Sequence, residues 1–286
     1  MTTAQDHGNS GTGPLTSDGR RLALVTGAPR SGTTALVDVL NTHPDIAIMG
    51  ERYNKLVSKR SLTLDHFSDA RLRSFDEGDG SPVSFGMPQM QNALAKLDSA
   101  KVVGDKVPRP RDMFALAQTL GKPPVLAILR EPHGMARSYD GRVARAQWQI
   151  AEGKSATWPV HRDHNAAIRD FNDYITLLKD MSLSTSGGTP DFLLVDYTLL
   201  FSRDYPVARI FEFLDVDPSR AVDVDAVLNA QSAQQRALDK LNHTVSLTAD
   251  MAGYRKVSGL QDPSDDLAPK RPDQSKGKGI FGWRRR

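Results

Sequence analysis

The sequence predicts an α/β fold, a three-layer sandwich in which helices cover both faces of a central parallel sheet. Short apolar runs that fit buried strands alternate with segments of helical periodicity along residues 22–214. Strands that alternate with helices pair in parallel through right-handed crossovers. One strand–turn–helix junction, at residues 22–36, also has the layout of a phosphate-binding loop.

The strands are predicted where short, mostly apolar runs follow turn residues, and the run at 125–129 is apolar throughout. The predicted strands are 22–26, 45–49, 101–104, 125–129 and 192–195. Helices are predicted between them, and the apolar side chains of residues 163–181 recur on one side. The predicted helices are 32–41, 111–120, 134–149, 163–181 and 207–214. Residues 52–100 are expected to be irregular, with an amphipathic stretch near 90–97.

The chain length of 286 residues suits one α/β domain with insertions. Residues 1–20 are polar and glycine-rich and are expected to be disordered. Residues 21–268 are expected to form the domain, with 52–100 as an insertion on the acceptor side. Residues 269–286 are expected to form a basic C-terminal tail.

The composition excludes several kinds of site. The chain has no cysteine, so it has no disulfide and no thiol chemistry. No apolar run approaches the roughly 20 residues that span a bilayer, and a cytoplasmic protein is expected. Seven basic residues against one acidic residue give 270–286 a net charge of +6, within a total of +3. This tail is either a solvated terminus or a weak contact for an anionic surface, and no specific nucleic acid is expected.

The turn after the first strand carries the most specific motif. Gly27 and Gly32 have the separation found in nucleotide-triphosphatase loops, but Thr33 stands where those loops have lysine. The cation has moved forward to Arg30. A loop without that lysine is a poor candidate for ATP chemistry, although a kinase with a displaced cation remains an alternative.

A second pair of residues follows the strand at 125–129. Arg130 stands at the strand end, and Ser138 follows eight residues later in the predicted helix. A guanidinium fork and a hydroxyl at this spacing can donate to one phosphate.

With this loop and this pair, the chain resembles the sulfotransferases that use 3′-phosphoadenosine 5′-phosphosulfate (PAPS), over roughly residues 22–215. The resemblance implies a loop that holds the 5′-phosphosulfate and an Arg130–Ser138 pair that holds the 3′-phosphate. It also suggests that Tyr254 and Arg255, in a late basic segment, close over the nucleotide, although an ordinary surface turn is the alternative. The loop residues implied to bind the donor are Gly27, Pro29, Arg30, Ser31, Gly32, Thr33 and Thr34. The resemblance implies no metal.

Three residues are the catalytic candidates. Glu51, which follows the second strand, resembles the glutamate base of tyrosylprotein and several bacterial sulfotransferases. Lys106, after the third strand, resembles a cation that steadies the sulfuryl group, and Arg30 can reach the bridging oxygen as negative charge develops. The competing interpretations are a salt bridge with Arg52 or a helix cap for Glu51, and a surface strand-end position for Lys106. His43 is a rival base, and its position favours a structural role.

The acceptor is predicted only by class, as a hydroxyl of a carbohydrate or other small molecule. Residues 52–100 and 145–165 are expected to line its pocket. The candidate lining side chains are Arg52, Tyr53, Trp148, Trp158 and His161, and ordinary core positions are the alternative for them. A noncatalytic protein that binds nucleotide or polyanion is the remaining alternative, and the sequence does not give the oligomeric state.

Overall fold

The computed structural model describes residues 13–80, 86–183, 191–239 and 249–258. Within these residues, five parallel strands form one sheet in the order β2-β3-β1-β4-β5. The strands are β1 (Arg21–Gly27), β2 (Ile46–Gly50), β3 (Val102–Lys106), β4 (Val125–Leu129) and β5 (Phe192–Asp196). They are nearly uninterrupted runs of buried residues, as expected for a parallel sheet that is covered on both faces.

Helices connect these strands and continue after them. They are α1 (Thr33–Leu40), α2 (Asn54–Lys59), α3 (Asp69–Arg73), α4 (Pro88–Ala95), α5 (Pro110–Thr119), α6 (Pro132–Ala151), α7 (His164–Leu183), α8 (Tyr197–Ser202), α9 (Ala208–Phe213), α10 (Val224–Asp239) and α11 (Met251–Ser258). Short 3₁₀ turns occupy Leu64–Phe67 and Pro218–Arg220. No helix in the described part of the chain is both long enough and apolar enough to cross a membrane.

The core lies on both faces of the sheet. Successive residues of β1 point to opposite faces, so Leu22 and Leu24 join one apolar cluster while Ala23 and Val25 join the other. Helices α2 to α7 and α11 contribute to the first cluster, and α1, α8, α9 and α10 to the second. The predicted three-layer α/β sandwich is therefore confirmed.

The parallel register brings the carboxyl ends of the strands to one edge. Gly50 aligns with Lys106 across β2 and β3, and Val25 aligns with Lys106 across β1 and β3. The residues that follow the strands therefore meet above this edge, where ligands bind in open α/β sheets.

Some segments differ from the sequence-based expectation. Residues 13–20, which were expected to be disordered, form a turn. In it the Thr16 amide donates a hydrogen bond to the Arg20 carbonyl, and the Leu22 amide donates one to the Pro14 carbonyl. Residues 52–100 contain α2, α3 and α4 because their short apolar patterns find a core to pack on. The predicted strand at 101–104 extends to Lys106. Residues 1–12 and the basic tail at 269–286 lie outside the described residues.

Candidate active site

The loop between β1 and α1 is held in a conformation that needs glycine at two positions. A Cβ atom at Gly27 would lie 2.5 Å from Oγ of Ser31 and 2.6 Å from the Ile128 carbonyl oxygen. Gly32 has a φ of 102°, and a Cβ there would lie 2.3 Å from the Tyr197 ring. The two glycines of the motif therefore permit close packing at this turn.

The loop presents polar groups that can receive an anion. Ser31 is fully buried, and no group in the described part of the chain forms a hydrogen bond with its Oγ. Gly32 is the N-cap of α1 and supplies no side-chain cap, so the first amides of the helix keep their capacity to donate. A buried hydroxyl beside the positive end of a helix is chemically suited to a phosphate or sulfate oxygen.

Arg30 joins this loop to helix α6. Its Nε donates to Oγ of Ser138 at 2.9 Å, so the two predicted motifs lie in contact. Burial, together with the charges of Arg142 and Arg130, lowers the pKa of Arg30 to about 10. The positive charges of Arg142 and Arg130 thus lie close enough to act on Arg30, and an anion bound beside them would offset this repulsion.

Arg130 is placed by the turn that starts α6. The side chain is buried, and its guanidinium carbon lies 4.4 Å from the centre of the Tyr197 ring. Glu131 caps α6 by accepting from the Gly134 amide at 2.5 Å. A Cβ at Gly134 would lie 2.6 Å from Nε of Arg130, so this glycine gives the guanidinium room.

Glu51 and Lys106 form an ion pair at the same edge of the sheet. Nζ of Lys106 lies 2.8 Å from Oε1 of Glu51 and 3.3 Å from Oγ1 of Thr34, in the first turn of α1. Lys106 is almost completely buried, whereas 35% of the Glu51 side chain is exposed. The carboxylate is thus anchored on one side and open on the other, as a base for a bound hydroxyl must be.

Two further acidic residues near this pair were missed in the sequence analysis. Burial raises the pKa of Asp38 to about 6, while the charge of Lys106 and a bond from Gln89 act in the opposite direction. Burial also raises the pKa of Asp105 to about 6, opposed by hydrogen bonds from backbone amides. The only sequence signal for Asp105 is a carboxylate inside an otherwise buried strand.

Tyr254 and Arg255 lie in α11. The Tyr254 hydroxyl donates to Oδ2 of Asp196 at 2.8 Å, and the ring packs against Phe171 in the core. Asp196 also caps α8 by accepting from the Leu199 amide. These contacts join Tyr254 to the end of β5, and its binding of the donor stays a prediction, as does that of Arg255.

His43 has a structural role. It is fully buried, its Nδ1 accepts from the Asp45 amide at 3.1 Å, and its Nε2 lies 2.8 Å from the Asp217 carbonyl oxygen. It precedes β2, so it lies toward the amino edge of the sheet, opposite Glu51.

Two of the predicted acceptor residues belong to the core. Arg52 and Tyr53 are 2% and 0% exposed, and Arg52 pairs with the buried Asp79 at 3.3 Å while its guanidinium lies over the Tyr53 ring. The expectation that these side chains line an acceptor pocket is wrong. The reason is that Asp79 supplies a buried partner for the arginine, which the sequence pattern does not reveal.

A cavity of about 260 Å³ adjoins the phosphate loop. Pro29, Pro108, Arg109, Arg162 and Tyr174 are among its lining residues. In the predicted acceptor segment, Nε1 of Trp158 donates a hydrogen bond to the Arg162 carbonyl. Trp148 is 55% exposed, and the Lys154 ammonium lies over its ring. Among the described residues, no group of three histidine, aspartate or glutamate side chains is arranged to hold a metal ion.

A family model described as "Sulfotransferase family" matches residues 23–217, more than half of the chain. The sulfotransferase domain of the Synechococcus PCC 7002 olefin synthase is 16% identical with a TM-score of 0.44, covering 88% of this chain and 98% of that one. Mouse sulfotransferase SULT7A1 complexed with PAP is 13% identical with a TM-score of 0.40, and the match covers 88% of this chain and 82% of that one. Retinol dehydratase in complex with androsterone and inactive cofactor PAP is 14% identical with a TM-score of 0.37, and the match covers 87% of this chain and 72% of that one. No curated protein sequence matches the chain.

Proposed function

The chain belongs to the sulfotransferase family, and we propose that it transfers the sulfuryl group of PAPS to a hydroxyl of a carbohydrate or other small molecule. The observation that supports this choice of donor is the cluster of basic and polar groups at the loop 27–34, where Arg30 donates to Ser138 at 2.9 Å and the charges of Arg130 and Arg142 act on Arg30. Such a cluster favours a ligand with several negative charges, and PAPS carries a phosphosulfate and a separate phosphate.

The residues present fit this donor. Among the described residues the buried Oγ of Ser31 has no hydrogen-bond partner, and no side-chain cap occupies the start of α1 at Gly32. We assign the 5′-phosphosulfate to this loop and the 3′-phosphate to Arg130 and Ser138. Since Ser138 also accepts from Arg30, one continuous set of donors would hold both anionic groups.

The chemistry follows from the same contacts. When bound, PAPS supplies a sulfuryl group, whose sulfur–oxygen bond to the 5′-phosphate breaks as the acceptor oxygen bonds to sulfur. Glu51 takes the acceptor hydroxyl proton through its exposed side, which is worth about 10²–10⁴ in rate. Lys106 and Arg30 stabilise the charge that develops on the transferred and leaving oxygens.

The acceptor is proposed to occupy the cavity beside Pro29 and Pro108. This cavity adjoins the donor loop and the residues that directly follow Lys106. Its lining includes the charged Arg109 and Arg162 and the aromatic Tyr174, which suits a polyhydroxy compound.

Calorimetric titration tests the donor. Adenosine 3′,5′-bisphosphate should bind at least about tenfold more tightly than ADP, because one charge-assisted hydrogen bond contributes about 1.5–3 kcal/mol. A preference for ATP with magnesium would overturn the proposal in favour of a kinase. Sulfuryl transfer itself is then followed with labelled donor and a panel of sugars and phenols.

A further inference from the structure

The strand that ends in Lys106 also carries a fully buried carboxylate, Asp105. Its Oδ1 accepts from the backbone amides of Arg52 at 3.1 Å and of Lys106 at 2.9 Å. Its Oδ2 accepts from the Tyr53 amide at 2.8 Å. One side chain of β3 therefore holds three amides, and two of them belong to the loop that follows β2.

That loop contains the proposed base. β2 ends at Gly50, and beyond it the amides of Arg52 and Tyr53 both donate to Asp105. The amide of Glu51 itself donates to the Lys106 carbonyl at 2.8 Å. The backbone of Glu51 is thus bound to the end of β3 at its own amide and at the next two.

Glu51 also has an unfavourable backbone conformation. Its φ is 61°, in the left-handed region that residues with a side chain rarely adopt. Such a conformation persists when surrounding bonds fix it, and it is enriched at functional sites. Here the bonds to Asp105 immediately follow the strained residue.

We propose that Asp105 is a positioning residue that fixes the Glu51 carboxylate against the Lys106 ammonium. The inference rests on the proposed function, since it gives Asp105 its role through Glu51. Asp105 touches neither the donor nor the acceptor in this scheme. Without its three bonds, the loop at 51–53 is free to leave the left-handed turn, and the 2.8 Å ion pair is no longer enforced.

Asp105→Asn tests the role, because the amide keeps the shape of the side chain but turns an N–H toward the Tyr53 amide. A displacement of about 1 Å at a catalytic group costs on the order of 10²-fold in rate. We expect kcat to fall by about that factor, with the affinity for adenosine 3′,5′-bisphosphate changed less than about threefold. In the Glu51→Gln background the same substitution should lower kcat by no more than about twofold, because residues that act through one another are not additive.

Asp45→Asn is the matched control. Asp45 is also a buried carboxylate, but it lies at the opposite edge of the sheet, where Arg220 and Lys101 pair with it. It should lower stability and leave kcat unchanged. The positioning role would be overturned if D105N had the kcat of the wild type. It would also be overturned if D105N lowered kcat by the same factor in the wild type and in the Glu51→Gln background. The proposed function would stand in either case.

Hydrogen exchange gives a measurement that needs no variant. In the wild-type chain the amides of Arg52 and Tyr53 should be protected although they lie in a loop, and rapid exchange at both would overturn the inference. A wild type that neither binds adenosine 3′,5′-bisphosphate nor transfers sulfuryl overturns the proposed function instead, and protected amides would then still show that Asp105 holds the loop.

Discussion

The Nζ atom of Lys106 lies 2.8 Å from Oε1 of Glu51, although the two residues are 55 positions apart and lie at the ends of different strands. The parallel register explains the meeting, because Gly50 and Lys106 are aligned across β2 and β3. The pair places a proton acceptor beside a cation at the edge where the phosphate loop ends. In one transfer step Glu51 can therefore remove a proton while Lys106 stabilises the leaving anion.

Glu51→Gln should lower kcat at least tenfold and leave the affinity for adenosine 3′,5′-bisphosphate unchanged. The amide keeps the size of the side chain but cannot take the acceptor proton, which a general base accelerates by about 10²–10⁴. Turnover with labelled donor and calorimetry on the same protein measure the two quantities. Unchanged turnover would remove Glu51 from the mechanism.

Lys106→Met should lower both kcat and donor affinity, because the ammonium contacts Thr34 of the loop helix as well as Glu51. A double-mutant cycle with Glu51→Gln checks the pairing. We expect the combined loss to be smaller than the product of the single losses, since the two side chains interact directly. Fully independent losses would show that the ion pair has no part in turnover.

Arg130→Ala should weaken nucleotides with a 3′-phosphate at least about tenfold and spare ADP, since a lost charge-assisted bond is worth about 1.5–3 kcal/mol. Arg220→Ala, which removes an arginine at the other edge of the sheet, is the control and should leave both ligands unaffected. Calorimetry with the two nucleotides measures both affinities for each variant. Equal weakening of both would mean that Arg130, packed on Tyr197, supports the fold instead.

Much of this site was predictable because the strands are short and apolar and because a polar residue at a strand end lies at the ligand edge. Arg30, Glu51, Lys106 and Arg130 all follow from that rule, and the structure brings them to one edge. The contact between Arg30 and Ser138 was not predictable. It depends on how α6 packs over the loop, which spacing along the chain does not determine.

The burial of Arg52 and Tyr53 was not predictable from the sequence. Arg52 was a candidate for the acceptor pocket because residues 52–100 leave the scaffold near the catalytic edge, but Asp79 and the Tyr53 ring contact its side chain in the core. Partners that are distant in sequence decide whether such side chains are buried.

Asp38→Asn should stabilise the protein at pH 7.5 more than at pH 4.5. The pKa of Asp38 is about 6 in the folded chain and 3.8 ordinarily, because burial disfavours its charge. The folded state therefore holds a proton that the unfolded state has released, and the free energy of unfolding falls as the pH rises from about 4 to 6. Because asparagine does not ionise, the variant does not lose this part of the free energy of unfolding. Thermal unfolding of the variant and the wild type at the two pH values measures the difference.

The matched carboxylate, Asp45, should respond with the opposite sign. Burial would raise its pKa, but the hydrogen bond from Lys101 and the charge of Arg220 lower it below the ordinary value. Its stabilisation is therefore present at pH values above about 4 and is lost in acid. Asp45→Asn should destabilise at both pH 4.5 and pH 7.5. A stabilising effect of this substitution would contradict the assigned ion pairs.

Gly32→Ala should abolish most donor binding, because the new Cβ would lie 2.3 Å from the Tyr197 ring at a φ of 102°. Either the loop or Tyr197, on which Arg130 packs, must then move. Gly141→Ala is the control: it lies within α6 with open space around it, and it should stabilise by about 0.5–1 kcal/mol. Calorimetry should show at least a tenfold loss of affinity for adenosine 3′,5′-bisphosphate in G32A only. Wild-type affinity in that variant would show that the donor does not depend on this loop conformation.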